Sequence, residues 1–339
     1  MIDRSKSRTY PFSMNVHRRA VASVLICGLA APRLATAQTA KLHRIGWLSL
    51  GSPGTPSLFL DAFLQGMKDK GYVEGKNIAI DARLAEGSRE RADQMVIDLV
   101  ARKVDVIVTQ GGAARSAFRL AGSTPVVMGY SGDPVEAKFV ESLARPGGTR
   151  TGMSFLALEL VSKRLEVLAQ VLPAGAHIAI IADPQHPGEQ SELRASQAAA
   201  KELDLKISYY PVSNMQALDA ALRKISDTGV QAIVVFPDAF TLEQREKLAE
   251  FALSRRLPAV SGWSLYADAG FLMSYGPNLR ASYAHLATYV DKILRGSKPS
   301  DLPVELPTSV EFIVNAKTAK AIGIKLPQAM LLRADRVVE

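Results

Sequence analysis

Cysteine occurs once in 339 residues, at Cys27, so no disulfide can form within one chain. Stability must come from a buried apolar core, which a chain of this length can build. Histidine is scarce as well: His17, His43, His177, His186 and His285. No two of them stand at metal-ligand spacing, H-E-x-x-H is absent, and there is no cysteine cluster. No metal and no other cofactor is therefore expected. Gly-x-Ser-x-Gly is missing, which removes the nucleophile elbow of α/β-hydrolases. Gly51-Ser52-Pro53-Gly54 lacks the lysine of a phosphate-binding P-loop, and no G-x-G-x-x-G follows the first predicted strand. Catalysis is thus poorly supported, and no catalytic residue is assigned.

Long hydrophobic runs are also lacking. The longest, Ala20–Ala31, is too short to span a bilayer comfortably. It follows His17-Arg18-Arg19 and leads through Pro32 to Ala35-Thr36-Ala37. A charged start, an apolar middle and an A-x-A exit predict a secretory signal peptide over residues 1–37, cleaved after Ala37 to give a periplasmic protein. Met14 is an alternative start, and the Arg pair alone is poor support for twin-arginine export. Cys27 reads as part of the apolar stretch rather than a lipid anchor, because Ile26 stands where a small residue is needed. The net charge of +8 shrinks once this segment is set aside. From Gln38 onward, 35 basic side chains face 32 acidic ones, so a nucleic-acid partner is not expected.

What is present is alternation. Arg44–Leu50 reads as a strand, Ser57–Lys70 as an amphipathic helix and Asn77–Arg83 as an edge strand. Helix Arg89–Ala101, strand Val104–Val108, helix Ala114–Ala121, strand Pro125–Gly129 and helix Pro134–Leu143 follow. After Arg145-Pro146-Gly147-Gly148-Thr149 the pattern restarts, from Thr151–Phe155 and a helix over Leu158–Val171. Strands at His177–Ala182, Lys206–Val212, Val230–Phe236 and Pro258–Gly262 then alternate with further helices. Such alternation implies α/β architecture, with parallel sheets covered by helices on both faces. Two like halves predict a duplicated domain: two similar doubly wound lobes. Phe271–Tyr275, helix Asn278–Arg295, the short pieces Leu302–Leu306 and Glu311–Val314, and helix Ala316–Ile322 are too little for a third domain. They are expected to cross back and complete both sheets. Lobe 1 would then comprise residues 41–150 and 276–306, lobe 2 residues 151–275 and 307–330, and a tail residues 331–339. Gly148–Thr151, Tyr275–Pro277 and Leu306–Thr308 would form a multi-strand hinge.

In parallel sheets, ligands bind at the turns after the strands. Val104–Val108, running through Thr109, Gln110, Gly111 and Gly112 into a helix opening at Ala113, is the clearest case. Its backbone N–H groups and helix dipole suit a carboxylate. On the same side the turns present Ser49, Ser52, Thr55, Tyr130, Ser131 and Asp133. The second half presents Asp183, Glu189, Gln190, Asp238, Trp263 and Ser264. Hydroxyls, amides, carboxylates and aromatics together suit a small polar or zwitterionic ligand with an apolar part. Asp133, Asp183, Glu189 or Asp238 would answer an ammonium group. The plainer reading is that Asp133 and Asp183, each before a proline, cap turns, and that Trp263 is core.

Several blocks carry a family resemblance: Gly71-Tyr72-Val73-Glu74-Gly75-Lys76-Asn77, Asp105-Val106-Ile107-Val108, Asp133-Pro134-Val135, Arg145-Pro146-Gly147-Gly148 and Asn315–Gly323. From about Lys41 to Pro327 the chain resembles the extracytoplasmic solute-binding proteins of ABC importers, in the subfamily with tryptophan- and phenylalanine-binding members. The resemblance implies a type I periplasmic-binding-protein fold, closure on a small solute and docking on a membrane permease; a monomer is expected. Asp183-Pro184-Gln185-His186-Pro187 and the loop around Gly262-Trp263 depart from the family pattern, so an aromatic amino acid is not assumed. A sensing module for a membrane receptor is the runner-up and an exported α/β enzyme ranks lower. A transcriptional regulator ranks last, since a leader occupies the place of a DNA-binding head.

Overall fold

A computed structural model describes residues 41–52, 58–155 and 158–339. The expected leader, Cys27 and Thr55 lie outside these residues. The first half runs β1 (His43–Ser49), α1 (Leu58–Asp69), β2 (Ile78–Leu84), α2 (Arg89–Ala101), β3 (Val106–Gln110), α3 (Ala114–Leu120), β4 (Val126–Tyr130) and β5 (Arg150–Ser154). The second begins with α4 (Leu158–Ala169), β6 (His177–Ala182), α5 (Glu189–Glu202), β7 (Lys206–Pro211), α6 (Met215–Asp227) and β8 (Ala232–Val235). It continues with α7 (Ala239–Glu243), α8 (Arg245–Ser254), β9 (Ala259–Ser261), α9 (Ser264–Ala269) and β10 (Met273–Pro277). The chain ends with α10 (Leu279–Leu294), β11 (Val310–Asn315), α11 (Ala316–Ile322), α12 (Gln328–Arg333) and β12 (Arg336–Val338).

Two sheets result. One has the order β2-β1-β3-β4-β5, all parallel. The other has the order β12-β11-β10-β9-β8-β6-β7 and is parallel except for the antiparallel β10–β11 pair. The strand cores are apolar on both faces, as a helix-covered parallel sheet requires. Local signals set the helices. Phe59, Ala62, Phe63, Gly66 and Met67 line the buried face of α1 at helical spacing. The side chains of Ser88, Asn214, Asn278 and Asn315 accept from backbone N–H groups and cap α2, α6, α10 and α11.

Three details differ from the sequence reading. Residues 134–143 form turns instead of a helix: Asp133 draws the N–H groups of Val135 and Glu136 to its side chain, and Lys138 is left-handed at φ 58°. The strand at 150–154 closes the first sheet through β4, so the first crossing comes after it, at the passage from β5 to α4. The chain's end is structured, with β12 paired to β11 and Asp335 accepting from the Phe312 N–H at 2.7 Å. The later crossings fall where β10 leads into α10, which packs on α1, and where residues 306–309 lead into β11. Before that return, Glu305 bonds backbone to backbone with Gly152 and Ser154, extending the edge of the first sheet.

Candidate functional site

A cavity of about 410 Å³ lies between the two sheets, at the carboxyl ends of their strands. The first-sheet wall carries Ser49, Ser52, Gln110, Gly111, Gly112 and Ser131, and the second-sheet wall carries Asp183, Asp238 and Trp263. The structure thus brings nine of the expected residues to one space. Gly111 sits at φ 56° with nothing near where a Cβ would stand, so the β3 turn is open and tight.

The other expected residues stand off the cavity, for identifiable reasons. Thr109 and Ala113 are buried beneath the β3 turn. Tyr130 is also buried, its ring against Phe139 at 5.2 Å between centroids. Asp133 is spent on its turn. Glu189 is buried on α5, where it accepts from the Tyr209 hydroxyl at 2.6 Å. Gln190 is exposed, and Ser264 opens α9 without lining the cavity. These residues follow their strands correctly in sequence, but burial and rotation about the turn decide which of them face the gap.

Sequence reasoning missed the aromatic floor. Phe59 of α1 and Tyr283 of α10 line the cavity and stack at 4.7 Å, while Phe59 meets Trp263 of the other wall edge-on at 6.1 Å. The Tyr283 hydroxyl hydrogen-bonds the Gly111 backbone, fixing the ring under the β3 turn. It also missed Arg89, at the head of α2, whose guanidinium reaches across to the Gln185 carbonyl at 3.5 Å. The amphipathic phase of α1 pointed to Phe59 as core; only its place at the cavity end of that stripe makes it a wall.

The carboxylates of the second wall differ in their satisfaction. Asp183 Oδ1 accepts from the Gln185 N–H at 2.8 Å, and burial raises its pKa. Asp238 caps α7: its Oδ1 accepts from the Thr241 N–H at 2.8 Å, and Thr241 returns a bond to the Asp238 N–H. Its Oδ2 is buried and has no partner. Burial pushes the Asp238 carboxyl up to about 6, against the opposing pull of His186. An unpartnered buried carboxylate oxygen on a residue that lines a cavity fits a cationic donor from a ligand.

Around the cavity the two walls already touch. Ser191 donates to Glu136 at 3.4 Å, Arg194 stands 3.8 Å from the same carboxylate, and Arg89 spans to Gln185. Among the described residues no group of three or more His, Cys, Asp or Glu side chains could hold a metal, and no helix is long and apolar enough to cross a membrane.

Comparison with known proteins agrees with this geometry. The family model of ABC transporter substrate binding proteins matches residues 56–338. The chain is 23% identical over 265 residues to a tyrosine-binding protein of Clostridioides difficile (strain R20291), covering 78% of this chain and 76% of that protein. A crystal structure of a conserved domain protein from Vibrio cholerae O1 biovar El Tor superposes with a TM-score of 0.80 at 25% identity, over 88% of this chain and all of that one. A Streptococcus pneumoniae ABC domain in complex with L-Trp gives the same TM-score at 22% identity and the same coverage. With a family model spanning most of the sequence and a two-lobed fold around one cleft, the chain belongs to the ABC transporter substrate-binding protein family.

Proposed function

We propose that this substrate-binding protein captures a zwitterionic solute with an apolar or aromatic side chain, an amino acid, and hands it to the permease of an ABC importer. The observation that carries this reading is the bare, buried Oδ2 of Asp238 at a cavity with aromatic walls. An α-ammonium group on Asp238 completes that carboxylate, and the side chain fills the space beside Phe59, Trp263 and Tyr283. Arg89, on the opposite wall, offers the carboxylate a guanidinium, and the β3 turn offers it polar backbone. The cavity volume lies within the usual range for small-molecule sites. Relatives named for tyrosine and crystallised with L-Trp support the same ligand class.

Ligand contacts to both walls exist only when the lobes are closed, so binding favours the closed state by population shift. The protein acts without chemistry of its own, as a monomer outside the cytoplasmic membrane, and its leader is removed after Ala37. A thermal-shift screen of the twenty amino acids tests this. At least one apolar or aromatic L-amino acid should raise Tm by several degrees at about a hundredfold excess over Kd, where ligand binding contributes roughly 2.7 kcal/mol. A flat response from protein stripped of bound solute by unfolding and refolding would overturn it.

A further inference from the structure

The space between the lobes continues beyond the cavity that holds Asp238. A second compartment of about 270 Å³ adjoins it. The two share Ser49, Ser52, Phe59 and Gln110 on the first lobe, and Ala239 and Leu242 on the second. Sheet order gives the direction. Ser49 ends β1, Gln110 ends β3, and Leu84 ends β2 in register with Ser49. In the order β2-β1-β3, the cleft therefore extends along the strand ends from β3 across β1 to the edge strand β2. The opposite lobe supplies Ala239 and Leu242 from α7 and Leu265 from α9.

The two compartments differ in chemistry. Asp183, Asp238 and Arg89 line only the first. Of the residues that line only the second, Leu58, Leu84 and Leu265 are apolar. Arg245 is already engaged, with Nη1 donating to the Leu242 carbonyl at 2.9 Å and Nη2 standing 2.5 Å from Glu246. Gly51 is satisfied too: its N–H donates to the Ser49 hydroxyl at 3.0 Å, and its carbonyl accepts from the Glu86 N–H at 3.1 Å. A zwitterionic head thus finds its partners in the first space, while the second offers apolar contact. The leucines are not sealed in the core. Leu58 is 39% exposed, and Leu84, Leu242 and Leu265 are half-buried. Apolar side chains of both lobes, left partly wet around one gap, gain from an apolar group that dries them.

We propose that the solute this cleft is built for is an amino acid whose side chain carries an apolar extension, aryl or alkyl, that passes Phe59 and occupies the second compartment. This rests on the amino-acid reading of the cleft and narrows it. With the ammonium group on Asp238 and the side chain beside Phe59, Trp263 and Tyr283, the extension leaves the first space along Phe59, which lines both. Glu243 also lines both and disfavours an acidic extension. A polar extension would lose water among the leucines without gaining a partner. Closure then dries leucines of both lobes along with the head group, so the extension adds to affinity.

Titration calorimetry with L-tyrosine and O-benzyl-L-tyrosine tests this, since the pair shares one zwitterionic head and differs by an apolar group. The benzyl ether should bind about ten- to a hundredfold more tightly, the gain from burying one Phe-sized group. Leu265→Trp, which fills the second compartment from α9, should remove that gain and leave L-tyrosine affinity within about twofold. Leu58→Trp repeats the test from the other lobe, at an exposed position where a larger side chain does not disturb the core. A benzyl ether that binds the unmodified protein no better than L-tyrosine would overturn the extension while leaving amino-acid binding intact. So would a gain that survives both tryptophan variants. No binding of either solute, nor of any of the twenty amino acids, would overturn the reading of the cleft and the extension with it.

Discussion

At Asp238 the two carboxylate oxygens have different duties, since Oδ1 caps α7 and Oδ2 is buried without a partner. Asp238→Asn keeps the cap and removes the charge. Amino-acid affinity should fall by about ten- to a hundredfold in calorimetry, the range of a charge-assisted hydrogen bond at roughly 1.5–3 kcal/mol. Folding stability without solute should change the other way. The carboxyl is raised from the ordinary 3.8 to about 6, so its ionisation disfavours the folded state, and stability is lost as pH rises through that window. The variant, scanned by thermal melts, should escape that loss, worth about 3 kcal/mol at most. In the sequence, Asp238 and Asp133 look alike, each closing an apolar run before a short connecting segment. Burial separates them: Asp133 is exposed and satisfied by its own turn, whereas Asp238 is enclosed by Thr241, Tyr266 and the cavity wall. No local pattern carries that difference.

Among the elements, α1 and α10 bind the site together. They approach so closely that a Cβ at Gly66 would run into the Ala284 carbonyl. Gly66→Ala should cost about 1–3 kcal/mol by overpacking, although alanine favours helix, and should lower Tm by roughly 2–4 °C per kcal/mol. Because Phe59 and Tyr283 lie on these helices, the same variant should weaken amino-acid binding in calorimetry. Both helices were legible from periodicity, as were nearly all strands. Their pairing was not, because more than two hundred residues separate them and nothing in α10 announces that it returns to the first sheet. Residues 134–143 misled for the opposite reason: their composition suits a helix, but Asp133 and the left-handed Lys138 divert the backbone. The end of the chain shows the same limit, since the short β12 gains its meaning only from the edge that β11 leaves open.

For the whole molecule, the account requires closure around a solute. Glu136 on one lobe, with Ser191 and Arg194 on the other, links the two lobes. Exposed ion pairs contribute about 0.2–1 kcal/mol, so Glu136→Ala should speed solute release by roughly two- to fivefold in stopped-flow fluorescence. It should leave Tm nearly unchanged. The two-lobed fold was visible in the repeated strand–helix order and in the Gly-Tyr and Arg-Pro-Gly-Gly blocks, because parallel α/β architecture writes its pattern locally. The interior of the cleft was half visible, because which turn residue faces the gap depends on how two distant lobes meet. The most direct test is a crystal structure of the protein with a bound amino acid identified by the thermal-shift screen. The account predicts closed lobes, the ammonium nitrogen about 2.7–3.0 Å from Asp238 Oδ2 and the side chain beside Phe59, Trp263 and Tyr283. A solute seated outside the interlobe cavity, or one whose ammonium group leaves Oδ2 unpaired, would contradict it.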